Sequence, residues 1–254
     1  MLTIERLSKS YGKQQILTEV SFKVGAGEIV GLVGQSGSGK STIAKCILGL
    51  ERPDAGQMSW RGRSLAERAV RRTASREIQA VFQDPRSSLN PRWTVRQLLS
   101  EPLDNWTPSE EGSARGARLT ALLDRVTLSG NLLDRYPHEL STGQCQRLCV
   151  ARALAPDPAL LVLDEPLSAL DVSVQARLIE LLMELHRSAG IGYLLITHDF
   201  AVAGDLCEKI VVLNEGRVVE TGHAASILVH PTHTYTQGLL RDVLPPPYTQ
   251  HEPK

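Results

Sequence analysis

The chain has no net charge: 28 Lys and Arg residues balance 28 Asp and Glu residues, and the isoelectric point lies near 7.1. Without a basic surplus it has little to offer a phosphate backbone, which argues against nucleic acid as a partner. It also lacks any apolar run near the roughly 18 to 20 residues needed to cross a bilayer. Its opening stretch, MLTIERLSKSYG, has no secretory apolar core, so the expectation is a chain that stays in the cytoplasm. Cysteine is sparse. Cys46, Cys145, Cys149 and Cys207 are scattered through 254 residues, a length that folds without disulfide staples, so reduced thiols are expected. Cys145 and Cys149 would share a helix face, as a metal pair requires, but beside Leu148, Val150 and Leu154 their expected role is packing. Internal repeats and low-complexity linkers are also missing.

What is present is a 42% hydrophobic sequence with two kinds of periodicity. Leu2, Ile4, Ile16, Val20, Phe22 and Val24 alternate around a turn at Tyr11-Gly12-Lys13, which predicts an antiparallel β-layer. EIVGLVG, IQAVF, LLVLD and YLLIT are continuous apolar runs of the kind buried on both faces of a parallel sheet, and helical segments separate them. From Trp93 to Ala155 the pattern turns helical, in VRQLLSEPL, ARLTALLDRV and GQCQRLCVARALA. KIVVLNEGRVVETG reads as a hairpin, ERAVRRTASRE as a solvated face, and PPPYTQHEPK as a loose end. The expected organisation is one α/β domain with a mixed-sheet core and an N-terminal antiparallel layer. Its α/β core comprises residues 1–92 and 156–240, with a helical subdomain at 93–155 and a tail at 241–254.

Three motifs carry chemistry. GQSGSGKST, Gly34, Gln35, Ser36, Gly37, Ser38, Gly39, Lys40, Ser41 and Thr42, satisfies G-x-x-x-x-G-K-[ST] between a buried strand and a helix. Small residues let backbone N–H groups turn inward around phosphate oxygens. Lys40 neutralises the β/γ end, and the Ser41 hydroxyl is offered to Mg²⁺. ALLVLDEP delivers Asp164 and Glu165 to the carboxyl edge of a strand, where Asp164 is expected to hold the Mg²⁺ shell and Glu165 to activate the attacking water. LSTGQ, Leu140 to Gln144, precedes a helical run. Ser141 and Gln144 form an S-x-x-Q capping box there, and Gly143 leaves room for a phosphate at the helix start.

Together these motifs resemble the ATP-binding subunits of ABC transporters, and the resemblance extends over nearly the whole chain. It implies a P-loop fold, ATP and Mg²⁺ as ligands, and a dimer in which Ser141, Gly143 and Gln144 of one subunit serve the ATP of the other. It further implies that Gln83 in VFQD senses Mg²⁺ and water and contacts the membrane partner, that Asp171 in SALD lies at the dimer interface, that His198 in ITHD contacts the γ-phosphate, and that Tyr11 stacks on adenine. Family members usually carry glycine where this chain has Thr142, and the added Cβ is expected to crowd the phosphate approach.

VFQDPRSSLNPRWTV and HPTHTYTQGLL look like the branch importing dipeptides, oligopeptides and nickel. The shorter end and MSWRGRSL resemble its nickel- and metallophore-import members. No iron–sulfur segment is expected, because the last cysteine is Cys207. His223, His230 and His233 suggest a metal sensor, but the last two belong to the string shared with peptide importers and so follow lineage. The resemblance implies a second ATPase subunit, preferably a different one, two membrane permease subunits, and indirectly an extracytoplasmic binding protein, with this chain at the cytoplasmic membrane face. A peptide importer and a soluble ABC ATPase remain the rival readings.

Overall fold

The computed structural model describes residues 1–108, 112–168 and 170–243. The tail expected to be loose thus lies almost wholly outside the described residues. Along the chain, β1 (Leu2–Tyr11) and β2 (Gln14–Val24) form an antiparallel pair. β3 (Ile29–Val33) then leads into α1 (Lys40–Leu48). β4 (Ala55–Trp60), β5 (Arg63–Ser64), α2 (Arg68–Glu77) and β6 (Ile78–Val81) follow. Next come the helices α3 (Val95–Trp106), α4 (Gly112–Asp124) and α5 (Thr142–Leu154). The chain closes with β7 (Leu160–Asp164), α6 (Val172–Ala189), β8 (Gly192–Thr197), α7 (Phe200–Leu206), β9 (Lys209–Asn214), β10 (Arg217–His223), α8 (Ala224–Val229) and α9 (Thr234–Val243).

Six strands form one sheet in the order β10-β9-β3-β8-β7-β6. β9 through β6 run parallel, and β10 is antiparallel to β9. A four-stranded antiparallel sheet, β2-β1-β4-β5, lies against it. The continuous apolar runs follow from burial on both faces. Leu161, Leu163, Tyr193, Leu195, Ile210 and Val212 point into one core, shared with α3 to α7. Leu160, Val162, Leu194, Ile196, Val211 and Leu213 alternate into the other, shared with the antiparallel sheet, α1 and α2. The expected α/β P-loop architecture is the one observed.

The hairpin β4–β5 was not foreseen. Its two-residue turn holds Arg61 at φ 52° and Gly62 at φ 77°, the doubly left-handed geometry that matches strand twist. β4 pairs with β1 and so completes the antiparallel sheet. The Arg-rich segment is α2, which buries Val70 and Ala74 and keeps Arg68, Arg72 and Arg76 outside. Arg71 and Arg76 nevertheless donate to the carbonyls of Leu65 and Pro156, at 2.9 and 3.3 Å, so this face also ties neighbouring loops. Cys145 and Cys149 are buried and donate their S–H groups to the carbonyls of Pro137 and Pro85.

Candidate active site

The phosphate loop, Gln83, Asp164, Glu165 and His198 all lie at the carboxyl ends of parallel strands β3, β6, β7 and β8. That edge is where open α/β sheets bind ligands. The loop ends at Gly39, whose φ of 106° suits glycine alone. No side chain caps α1. The first intrahelical bond runs from Ile43 N–H to Gly39 O (3.1 Å), so the amides of Lys40, Ser41 and Thr42 precede it and lack a helical acceptor. They face a cavity of about 340 Å³ lined also by Tyr11, Ser36, Gly37, Gln83 and Glu165. Such a helix start favours an anion.

Lys40 is 4% exposed and donates to the carbonyls of Gly34 and Gln35, at 2.7 and 2.9 Å. Burial pulls its ammonium below the usual lysine range, against the attraction of Glu165 and Asp164. Gly34 is required by close packing, since a Cβ there would lie 2.2 Å from Leu213 O. The Ser38 hydroxyl is buried and has no hydrogen-bond partner among the described residues.

Ser41 Oγ donates to Asp164 Oδ1 at 3.2 Å. Burial raises the Asp164 carboxyl above its ordinary range, the Ser41 hydrogen bond opposing and the neighbouring Glu165 charge adding to the rise. A hydroxyl and a half-buried carboxylate held together, with oxygen donors only, fit a hard divalent cation such as Mg²⁺. Glu165, at φ 46°, has its carboxylate between two groups. Gln83 Nε2 donates to one oxygen at 3.3 Å, and His198 Nδ1 lies 3.4 Å from the other. Tyr11 borders the same cavity, 42% exposed, with Lys9 Nζ 5.2 Å from its ring centre.

The structure does not bring every candidate together. Ser141 caps α5, accepting from Gln144 N–H at 3.2 Å, while Gln144 Oε1 accepts from Ser141 N–H at 2.9 Å. Neither these two nor Thr142 and Gly143 line the phosphate cavity. Asp171 caps α6, accepting from Val174 N–H (3.0 Å) and Ser173 Oγ (2.8 Å). One element joins these two groups, because a Cβ on Gly143 would lie 2.8 Å from Val174 Cγ1.

Residues 17–168 match the ABC transporter family and span the phosphate loop, Gln83, the α5 cap and the Asp164-Glu165 pair. The chain belongs to that family. This ABC protein is accordingly an ATPase. It is 42% identical to the nickel import ATP-binding protein NikE of Rhodospirillum rubrum, over 96% of this chain and 92% of the relative. It is 41% identical to the oligopeptide transport ATP-binding protein OppF of Escherichia coli K12, over 88% of this chain and 68% of that one. Among solved structures, the ABC protein is similar to the dimeric post-hydrolysis ATP-binding cassette MJ0796 bound to ADP and Pi (TM-score 0.79, 29% identity, 88% of this chain and 99% of that one). It is also similar to cbiO1 of Clostridium perfringens, part of the ABC transporter complex cbiONQ (TM-score 0.80, 27% identity, 90% of each chain).

Sequence reasoning passed over Tyr235, whose hydroxyl accepts from Gln35 N–H at 3.2 Å. The two residues are 200 positions apart, and no local pattern joins them.

Proposed function

We propose that this ATPase is the motor subunit of an ABC importer for nickel or a metal–metallophore complex. The observation that carries the ATPase mechanism is the Glu165 carboxylate, held between Gln83 and His198 beside an uncapped helix start. Glu165 orients and deprotonates the water that attacks the γ-phosphate, and Gln83 and His198 fix its two oxygens. Lys40 and the amides of residues 37–42 receive the β- and γ-phosphates, Tyr11 stacks on the adenine, and Ser41, Asp164 and Gln83 would hold Mg²⁺. When bound, Mg²⁺ supplies charge neutralisation at the β- and γ-oxygens.

Ser141, Gly143 and Gln144 lie outside the chain's own phosphate cavity. In this reading they complete the site of a second ATPase subunit, with Asp171 at the seam. The dimeric MJ0796 relative supports that arrangement. ATP favours the closed pair over the open one, and this difference in affinity moves the membrane partners. A groove of about 390 Å³ beside Phe82, bordered by Leu50, Arg71, Glu101 and Arg152, receives a cytoplasmic segment of a permease subunit. Its place next to Gln83 lets permease movement reach the attacking-water side of the site. The subunit thus works at the cytoplasmic membrane face, and an extracytoplasmic binding protein delivers the cargo.

Metal cargo is favoured because the match to NikE runs nearly end to end in both chains. A peptide importer is the second reading, supported by the 41% identity to OppF and to the putative peptide import ATP-binding protein of Brucella abortus strain 2308. The test is uptake of radioactive nickel, with and without metallophore, in cells lacking the chain and complemented by wild type or Glu165→Gln. Loss restored only by wild type is expected. Normal nickel uptake with lost oligopeptide uptake would transfer the motor to peptides, and no transport defect would favour a soluble ATPase.

A further inference from the structure

The string HPTHTYTQGLL plays no part in the mechanism above, yet the fold places it against the phosphate loop. Glu220, on β10, is 9% exposed and binds the segment leading into α9. It accepts from Thr232 N–H (2.6 Å), Thr232 Oγ1 (2.8 Å) and His233 N–H (3.2 Å). The Nδ1 of His233 then accepts from Tyr235 N–H at 3.2 Å, and Gln237 Nε2 donates to Pro231 O at 2.9 Å. Every one of these bonds fixes the entry to α9. Its outcome is that the Tyr235 hydroxyl meets Gln35 N–H at 3.2 Å. Farther along α9, Leu239 borders a cavity of about 310 Å³ shared with Gly34, Gln35, Ser36, Glu165 and His198.

Both backbone groups of Gln35 are therefore held. Its carbonyl accepts from Lys40 Nζ (2.9 Å) and Ser38 N–H (3.2 Å), and its N–H is satisfied only through Tyr235 among the described residues. Lys40 is also the cation available to the β/γ-phosphates. Two of its three N–H groups are spent on the carbonyls of Gly34 and Gln35, so one is free for a phosphate, and any further turn towards the nucleotide draws on those ties. The bond from Gln35 N–H to Tyr235 competes with no phosphate contact of Lys40.

We propose that Tyr235 is a positioning residue for the phosphate loop, through which α9, held by Glu220, fixes the Gly34–Gln35 peptide at the start of the loop while Lys40 engages the nucleotide. The inference rests on the ATPase reading of the site. A neutral hydrogen bond contributes about 0.5–1.5 kcal/mol, which corresponds to roughly 2- to 12-fold in affinity.

The experiment compares binding of a fluorescent non-hydrolysable ATP analogue by the full chain with Tyr235, Tyr235→Phe and Glu220→Gln, together with melting temperatures without nucleotide. Phenylalanine keeps the ring and removes the acceptor. The expected result is a dissociation constant roughly 2- to 12-fold higher for Tyr235→Phe, with a nearly unchanged nucleotide-free melting temperature. KM for ATP should rise while kcat falls less. Glu220→Gln should change the affinity in the same direction, because the entry to α9 loosens. Analogue binding by Tyr235→Phe within 1.5-fold of wild type overturns the proposal. Weakening that appears only with a parallel loss of the folded state overturns it too. A wild-type chain that binds no nucleotide would instead strike at the ATPase reading, so the two failures are distinguishable.

Discussion

At Glu165 the backbone and the chemistry make separate demands. A φ of 46° is a left-handed conformation that costs an L-residue about 1 kcal/mol or more, and it aims the carboxylate between Gln83 and His198. Glu165→Gln keeps the backbone and removes the base. Phosphate release should fall about 10²- to 10⁴-fold while binding of an ATP analogue stays within a few-fold of wild type. Unchanged release would remove Glu165 from the mechanism. Gly143 is constrained differently, because an added Cβ would lie 2.8 Å from Val174 Cγ1, on a stiff β-branched side chain. Gly143→Ala should therefore lower stability by about 1–3 kcal/mol, read as a fall of several degrees in melting temperature. Most site residues were legible because a phosphate loop is a local pattern and Asp164-Glu165 ends an apolar run. Tyr235 was not: its partner comes from the other end of the chain, and the hydroxyl finds Gln35 only through the Glu220 contacts.

Among the elements, α5 uses one serine for folding and for the proposed contact with a second subunit's nucleotide. The two uses can be separated by substitution. Ser141→Ala removes the acceptor for Gln144 N–H and should cost about 1 kcal/mol of stability. Ser141→Asp restores a capping oxygen and places a negative charge at the helix start, where folding tolerates it and an approaching γ-phosphate does not. Melting temperature should therefore recover in Ser141→Asp while ATP turnover stays low; recovery of both would assign Ser141 to folding alone. The entry to α9 supplies a pH-dependent case. Burial raises the Glu220 carboxyl, but the nearby Thr236 hydroxyl and the hydrogen bonds from Thr232 and His233 outweigh it and hold it below the ordinary 4.5. A depressed native value gives stability that is complete above 4.5 and is lost as pH falls through the native value. The melting difference between wild type and Glu220→Gln should be full at pH 7 and shrink below 4.5. A difference that grew in acid would contradict the sign. The long elements were readable from periodicity, whereas β4–β5 was hidden because β5 has two residues and β4, AGQMSW, buries only Met58 and Trp60 at its far end.

For the whole molecule, the decisive relation is that the phosphate loop and the α5 cap belong to one chain but not to one cavity. A single copy therefore presents half of each of two proposed sites, a phosphate-receiving edge and a phosphate-approaching helix start. With no net charge, two copies would meet without long-range repulsion, and in the proposed pair the nucleotide lies between them. In that reading ATP shifts the equilibrium only by the amount that it binds the closed pair better, and hydrolysis removes the γ-phosphate proposed to be touched by both halves. Slowing hydrolysis should consequently trap the pair. Glu165→Gln with Mg²⁺ and ATP is expected to double its mass from 27.8 kDa in light scattering and to return to one chain with ADP. Adding Ser141→Asp to the trapped variant should abolish the doubling while the phosphate loop still binds nucleotide. Doubling that persisted with Ser141→Asp would place the seam away from α5. A Glu165→Gln chain that stayed at 27.8 kDa with bound ATP would mean that its α5 start complements only a different ATPase subunit.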